Sequence, residues 1–340
     1  MIAVSGANGF LGSYVVCMLL EKGNQVRAFK REQSSLKEFE YIFSTYFPDK
    51  NTQQQLKNKL TWVVTDVLDV PSIEEALTGV DEVYHCAAIV SFLQKHREKM
   101  MDVNVEGTKN MVNISLLKGI KKFCYVSSIA ALGREKSGDQ ITEKSKWNES
   151  KNNSNYAVSK YKAEMEVWRG IEEGLNAVIV NPGVILGAGD WTKGSCKLFQ
   201  LVWNGMPFYT LGANGYVDVK DVAKAMIELM EKNISKERFV LVGENLQMKN
   251  YLDSVAEKFG KKKPTIEAGK FLSQIAWRMD ALKCLILGKE PALTKETARS
   301  AQNKFYYNSN KIIQKINFQF TPMNETIENI CTNFFLKQQS

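Results

Sequence analysis

The sequence predicts an α/β protein, a doubly wound parallel sheet followed by a smaller, mostly helical C-terminal part. Three observations lead there. The first thirty residues read as strand, glycine turn, helix, strand. Further apolar strand-like runs come later, such as "VYHCAA" (83–88) and "KFCYVSS" (122–128). From about residue 182 strand-like runs thin out and helix-period segments dominate. A chain of 340 residues suffices for one large domain or two unequal ones, each with its own core.

The opening "MIAVSGANGFLGSYVVCMLLEKGNQVRAFKR" is the most informative stretch. "IAVS" is a short apolar strand. Gly6, Gly9 and Gly12 come next with G-x-x-G-x-x-G spacing, a variant of the G-x-G-x-x-G of many dinucleotide sites. Phe10, Leu11, Val15, Cys17, Met18 and Leu19 then give a helix with a broad apolar face, and Gly23 suits its C-terminus. The glycines have separate tasks: a tight turn, close approach of backbone to a pyrophosphate, and close packing of helix on sheet. Unpaired N–H groups at the helix start would meet the anion. Gly6, Asn8, Gly9, Phe10, Leu11 and Gly12 are therefore the expected cofactor contacts at this turn. The second strand ends in "VRAFKRE". Lys30 and Arg31 stand where an acid would accept from a free ribose 2′-OH, and Glu32 comes late. Two cations favour a 2′-phosphate, so NADP is expected over NAD. A solvated strand end is the plainer reading of the same pair.

Composition narrows the remaining classes. The hydrophobic share of 44% and charged share of 24% are ordinary for a globular protein. The net charge of +8 comes from lysines and arginines scattered among acids, and the densest run is "GKKKP" (260–264), so no nucleic-acid partner is expected. The six cysteines form no C-x-x-C pair; several, such as Cys86 and Cys124, lie in apolar strand-like runs and read as buried free thiols, and with two histidines no metal site is expected. His85 reads as a strand-end residue. No leader precedes the glycine motif and no apolar run reaches eighteen residues, so a cytoplasmic protein without a membrane span is expected.

Later segments complete the outline. Residues 49–59, "DKNTQQQLKNK", read as a polar loop. "AGDW" (188–191) and "SCKLFQLVWNGMPFY" (195–209) suggest a loop and helix leaving the sheet, and "GYVDVKDVAKAMIELMEK" a strand and helix returning to it. "RFVLVG" (238–243) is another strand, and "MKNYLDSVAEKFG" a helix ended by Gly260. "FLSQIAWRMDALKCLILGK" (271–289) has apolar residues at 271, 272, 275, 276, 279, 282, 285 and 286, as an amphipathic helix would. That face is expected to pack in the smaller domain, or to wall the substrate. "TPMNETIENICTNFFLK" is a final helix with a proline at its start. The expected division is 1–181 with 215–243 for a nucleotide-binding domain, and 182–214 with 244–340 for a substrate-binding region.

With these pieces placed, the chain resembles an extended short-chain dehydrogenase/reductase with a Rossmann-type sheet. The carriers are "GANGFLG", "TDVLD" (65–69), "VYHCAA", "NVEGT" (104–108), "YVSS" (125–128), "YAVSK" (156–160), "NPGVILG" (181–187) and "YVDVKDVA" (216–223), in the family's order over most of the chain. The resemblance implies that Asp66 bonds the adenine with Val67 beside it, and that small Ala87 and Ala88 line the cofactor. It places Asn104 beside the catalytic lysine, fixing a water or a backbone kink. It implies backbone contacts to the nicotinamide from Pro182, Gly183 and Val184. Asn181 departs from the family's usual Arg-Pro and removes a cation. The same resemblance assigns Tyr156, Lys160 and Ser128 to catalysis, with Ser128 preferred to Ser127.

The chemistry of that trio is general acid/base catalysis. A free phenol titrates near 10, and a nearby ammonium and an oxidised nicotinamide would both favour its phenolate. Tyr156 would then exchange a proton with the substrate oxygen while Lys160 supplies charge and bonds the nicotinamide ribose. Ser128 would orient that oxygen. "VRAFKR" and "FYYNSNK" (305–311) resemble the dihydroflavonol-reductase and 3β-hydroxysteroid-dehydrogenase branch. An NADP(H)-dependent reductase of an apolar or aromatic carbonyl compound is the first expectation. A nucleotide-sugar epimerase or dehydratase using NAD is the second, and a non-catalytic dinucleotide sensor the third. Homodimerisation through helices near 97–118 and 155–173 is a further expectation from relatives.

Overall fold

The computed structural model describes residues 1–134, 139–150, 153–232, 234–287, 291 and 293–339. The chain begins with β1 (Ile2–Ser5), α1 (Phe10–Glu21) and β2 (Val26–Lys30). It continues through α2 (Lys37–Tyr46), α3 (Lys50–Lys57), β3 (Leu60–Val64), α4 (Val70–Ala76) and β4 (Glu82–His85). α5 (Arg97–Met100) runs through a π-helical stretch, Met101–Glu106, into α6 (Gly107–Leu117). β5 (Lys122–Val126), a 3-10 turn (Ile129–Ala131), α7 (Asn155–Glu172) and β6 (Ala177–Pro182) come next. Then come β7 (Val184–Leu186), α8 (Cys196–Trp203), β8 (Phe208–Tyr209), β9 (Ala213–Asp218), α9 (Val219–Glu231) and β10 (Glu237–Leu241). The chain ends with β11 (Glu244–Gln247), α10 (Met248–Lys258), β12 (Ile266–Glu267), α11 (Lys270–Leu287), α12 (Lys295–Ser300), α13 (Asn310–Ile316) and α14 (Met323–Gln339).

Seven parallel strands lie in the order β10-β6-β5-β4-β1-β2-β3. The order reverses between β1 and β4, so a crevice opens beyond their C-terminal ends. Strand alternation divides the core by face. Val4, Tyr84, Cys124, Val178 and Phe239 point to one side and pack with α1 and α9. Val83, Phe123, Tyr125, Ala177 and Ile179 point to the other, against α4, α6 and α7. Burial on both faces explains why these strands read as continuous apolar runs. A separate aromatic core joins α8, α10 and α14, where Trp191 meets Phe334 edge-on at 4.8 Å. Two small sheets, β11-β9-β7 and β12-β8, carry the chain between these cores.

Two expectations need correction. Residues 50–57 are helical, not a loop. Asp49 caps α3, its carboxylate accepting from the Thr52 N–H at 2.7 Å, and a good N-cap offsets a polar sequence. α11 is a helix, as its periodicity implies, but the predicted apolar face does not pack inward. Phe271, Ile275, Met279 and Leu282 are exposed, Phe271 by 80%. The buried side instead carries Ser273 and Cys284, and Asp280 bonds the Leu293 N–H at 2.8 Å. Gly288 and Lys289 of that segment, Ala292, and residues 135–138 and 151–152 of the loop before α7 lie outside the described residues, and the side chains of Ile286 and Leu285 are not described. Among the described residues no helix is long and apolar enough to cross a membrane.

Candidate active site

The glycine turn is built for close approach. Gly6 adopts φ +66°, and a Cβ there would lie 2.8 Å from the Ala87 backbone nitrogen and Cα. A Cβ on Gly12 would lie 2.1 Å from the Gly6 carbonyl oxygen, so α1 descends directly against the turn. The Gly9 N–H closes the loop on Gly6 O at 3.0 Å, and Ser13 Oγ donates to Ala7 O and Gly9 O. Gly9 is the N-cap of α1 and has no side chain to satisfy the helix's first N–H groups. These donors fit the pyrophosphate of a dinucleotide. Phe10 packs edge-on against Tyr14, Leu11 is buried, and Asn8 Nδ2 donates to Ser35 O at 3.2 Å.

The remaining predicted cofactor contacts follow the C-terminal ends of β2, β3, β4 and β6. Lys30 ends β2 partly buried and Arg31, next in the chain, is exposed. Arg27 is committed elsewhere, donating to the carbonyls of Ala76 and Thr78, both at 2.7 Å. Asp66 lies just after β3 and accepts from the Leu68 N–H at 3.0 Å, while Val67 is buried where α6 crosses it. Ala87 is partly buried and Ala88 lies just past it, beyond β4. Pro182 ends β6, and a Cβ on Gly183 would meet Gly215 O at 2.5 Å, leaving only backbone there, with Val184 partly buried beyond.

The residues expected to react gather at the end of β5 beside α7. Ser154 caps α7, accepting from the Ala157 N–H at 2.9 Å, and this fixes the first turn that carries Tyr156. The Tyr156 phenol lies within electrostatic reach of the Ser128 hydroxyl. Burial pushes its phenol above the usual range and the nearby Ser128 hydroxyl pulls it back. The acidification expected from Lys160 is therefore not the controlling influence in this structure. Lys160 is instead turned toward β5, donating to the Tyr125 hydroxyl at 2.8 Å and the Val126 carbonyl at 2.7 Å. Burial holds its ammonium down to about 7, opposed first by Glu164 and then by Cys86. Two of its three donors are thus engaged, leaving one for a ligand hydroxyl.

The two serines differ. Ser127 is buried and gives its hydroxyl to Glu164 Oε2 at 2.5 Å. Ser128 is partly buried, faces Tyr156, and accepts from the Ala130 N–H at 3.1 Å. Asn104 is buried in the π-helical stretch. Its Oδ1 accepts from Ile89 N at 2.7 Å, and its Nδ2 donates to Ile89 O at 2.9 Å and Ser159 Oγ at 3.0 Å. It joins the loop after β4 to the turn of α7 between Tyr156 and Lys160. The kink foreseen there is this widened turn.

Sequence reasoning missed several members of the site. Glu164 is fully buried one helical turn beyond Lys160, and Arg238 of β10 pairs with it at 2.8 Å. Asn181 Nδ2 bonds Glu164 at 2.8 Å and the Ser128 carbonyl at 3.1 Å. The cation absent at 181 thus has a counterpart arriving from the neighbouring strand. His85 is buried between Ser5 Oγ (2.6 Å) and Thr108 Oγ1 (3.1 Å) and stacks on Tyr125. Phe92 lies edge-on to Tyr156 at 6.1 Å and is 37% exposed, so it edges the opening.

A seven-stranded doubly wound sheet, a glycine turn at its switch point and a serine–tyrosine–lysine group beside it define a dinucleotide-dependent enzyme of the short-chain dehydrogenase/reductase kind. The chain belongs to the NAD-dependent epimerase/dehydratase family, whose model matches residues 2–243. It is 28% identical over 321 residues to the "Putative dihydroflavonol 4-reductase" of Synechocystis sp., covering 92% of this chain and 88% of that one. It is 29% identical over 277 residues to cinnamoyl-CoA reductase 1 of Petunia hybrida, covering 78% of each. The crystal structure of gox2253 superposes with a TM-score of 0.80 at 28% identity, over 99% of this chain and 98% of that one.

Proposed function

We propose that the protein is an NADP(H)-dependent oxidoreductase that reduces a ketone or aldehyde, or oxidises the corresponding alcohol. The observation that carries this reading is the placement of Ser128 just past β5 and of Tyr156 and Lys160 one turn apart on α7, with the Lys160 ammonium donating to the Val126 carbonyl beside Ser128. A bound dihydronicotinamide supplies the hydride. Ser128 donates to the carbonyl oxygen and holds it against Tyr156. Tyr156 gives up its phenolic proton as charge develops on that oxygen, and a phenol raised by burial starts in the protonated form this direction needs. Lys160 compensates the phenolate and binds a ribose hydroxyl with its remaining donor. Gly6, Gly9 and Gly12 seat the pyrophosphate, Asp66 and Val67 the adenine, and Ala87, Ala88, Pro182, Gly183 and Val184 the nicotinamide half. Lys30 and Arg31 take the 2′-phosphate.

We assign residues 182–214 and 244–340 to the substrate-binding region. Six free thiols suit a reducing, cytoplasmic compartment, and the helices near 97–118 and 155–173 suit a homodimer. The substrate is an apolar or aromatic carbonyl compound, in keeping with Phe92 beside Tyr156. The test is NADPH oxidation across aliphatic and aromatic carbonyls. Turnover in the wild type and a loss of at least about 100-fold in kcat for Tyr156→Phe are expected. Retained turnover in Tyr156→Phe contradicts the tyrosine's role. Interconversion of UDP- or GDP-sugars without net cofactor use would instead identify an epimerase.

A further inference from the structure

Four consecutive residues at the end of β5 are gripped from α7 or through it. Lys160 holds the Tyr125 hydroxyl and the Val126 carbonyl. Glu164 Oε2 accepts from Ser127 Oγ at 2.5 Å. Asn181 Nδ2 bridges that same oxygen, at 2.8 Å, and the Ser128 carbonyl, at 3.1 Å. The other carboxylate oxygen accepts from Arg238 Nη1 at 2.8 Å and Trp168 Nε1 at 3.3 Å. Arg238 is itself fixed by the Glu143 carbonyl, 2.9 Å from its Nε. Glu164 has no solvent exposure, and four donors converge on it. A buried carboxylate so surrounded is a built site for negative charge.

We propose that Glu164 is a positioning residue of the reaction centre: its carboxylate is the fixed counter-charge of the Lys160 ammonium and, with Asn181, sets the strand end that carries Ser128. Lys160 and Glu164 stand four apart on one buried face of α7, so the charge lies a single turn from the ammonium. The other titratable groups around Lys160 are neutral. They are Tyr125 on β5, His85 at the end of β4, Cys86 just after it, and Tyr156 on α7 itself; the charged Arg238 is paired with Glu164. Burial alone drives the ammonium toward deprotonation, and Glu164 is the first influence opposing it. This inference rests on Lys160 being the working cation of the proposed reaction, but its test needs no turnover.

The test is an NMR titration of lysine-labelled protein from pH 5 to 10, with the Lys160 signal assigned through Lys160→Met. The wild-type midpoint is expected near 7. Glu164→Gln should lower it by at least about one pH unit, and the charge-retaining Glu164→Asp by less than about half a unit. If Glu164→Gln does not fold, the neutral pair Glu164→Gln with Arg238→Gln is read in its place, with the same direction expected. An unchanged midpoint in a folded neutral variant overturns the proposal. So does an equal shift in Glu164→Asp, which would mark a packing effect. Where a carbonyl substrate is turned over, the alkaline limb of kcat/KM should move to lower pH in Glu164→Gln. A loss uniform across pH would overturn the counter-charge role. Failure of every carbonyl to react would bear on the proposed reduction, and the titration would still decide the place of Glu164.

Discussion

Tyr156 and Lys160 stand one turn apart, yet their side chains serve different neighbours: the phenol lies near Ser128 and Phe92, and the ammonium bonds β5. Their spacing was legible because it repeats on any helix; the direction of each side chain was not. Glu164 follows Lys160 by four residues in the sequence, but a carboxylate four residues beyond a lysine reads as a surface ion pair. Only the fold reveals that it is buried. Lys30 and Arg31 take their proposed role from their place at the end of the second strand. Replacing both by alanine should reduce NADPH affinity by about 10- to 100-fold and leave NADH affinity nearly unchanged, as equilibrium binding would measure. His85 gives a residue-level pH effect. Burial, then the Lys160 charge, lowers its imidazole from 6.5 to about 3. The unfolded chain takes up that proton below about 6.5 and the folded one does not, so the stabilisation is full above 6.5 and declines as pH falls toward 3. Urea unfolding between pH 7 and 5 should therefore show a slope of up to about 1.4 kcal/mol per unit that His85→Gln lacks.

Among the elements, the first strand, glycine turn and helix were readable because each depends on its own residues. A positive φ at Gly6 and a missing Cβ at Gly12 are local demands. α3 escaped notice because its helix is decided by one cap, Asp49, in an otherwise polar stretch. For α11, periodicity announced the helix, but whether its apolar stripe is covered depends on where the rest of the chain goes, and Phe271 and Met279 remain in solvent. The π-helical stretch had no periodic signature. Asn104 holds it through three hydrogen bonds to Ile89 and Ser159. Asn104→Ala should cost about 1–3 kcal/mol in denaturant unfolding, since it strands buried donors and acceptors, and should lower turnover by displacing α7.

Over the whole molecule, strand order places the glycine turn after β1, the small alanines after β4 and the serine after β5 along one edge of the sheet. That convergence was foreseeable from motif order. The region beyond β6 was foreseen only in outline, because α8, α10 and α14 find one another through aromatic contacts between distant segments. The same architecture serves reductases and epimerases, so fold alone does not choose between them. The choice rests on where the hydride ends. Incubating the protein with NADPH deuterated at nicotinamide C4 and a panel of aromatic and aliphatic aldehydes and ketones, and in parallel with UDP- and GDP-sugars, then reading the products by mass spectrometry, tests this directly. The account predicts one deuterium on the new carbinol carbon, lost with Tyr156→Phe. Recovery of undiminished deuterated cofactor alongside an interconverted nucleotide sugar would contradict it.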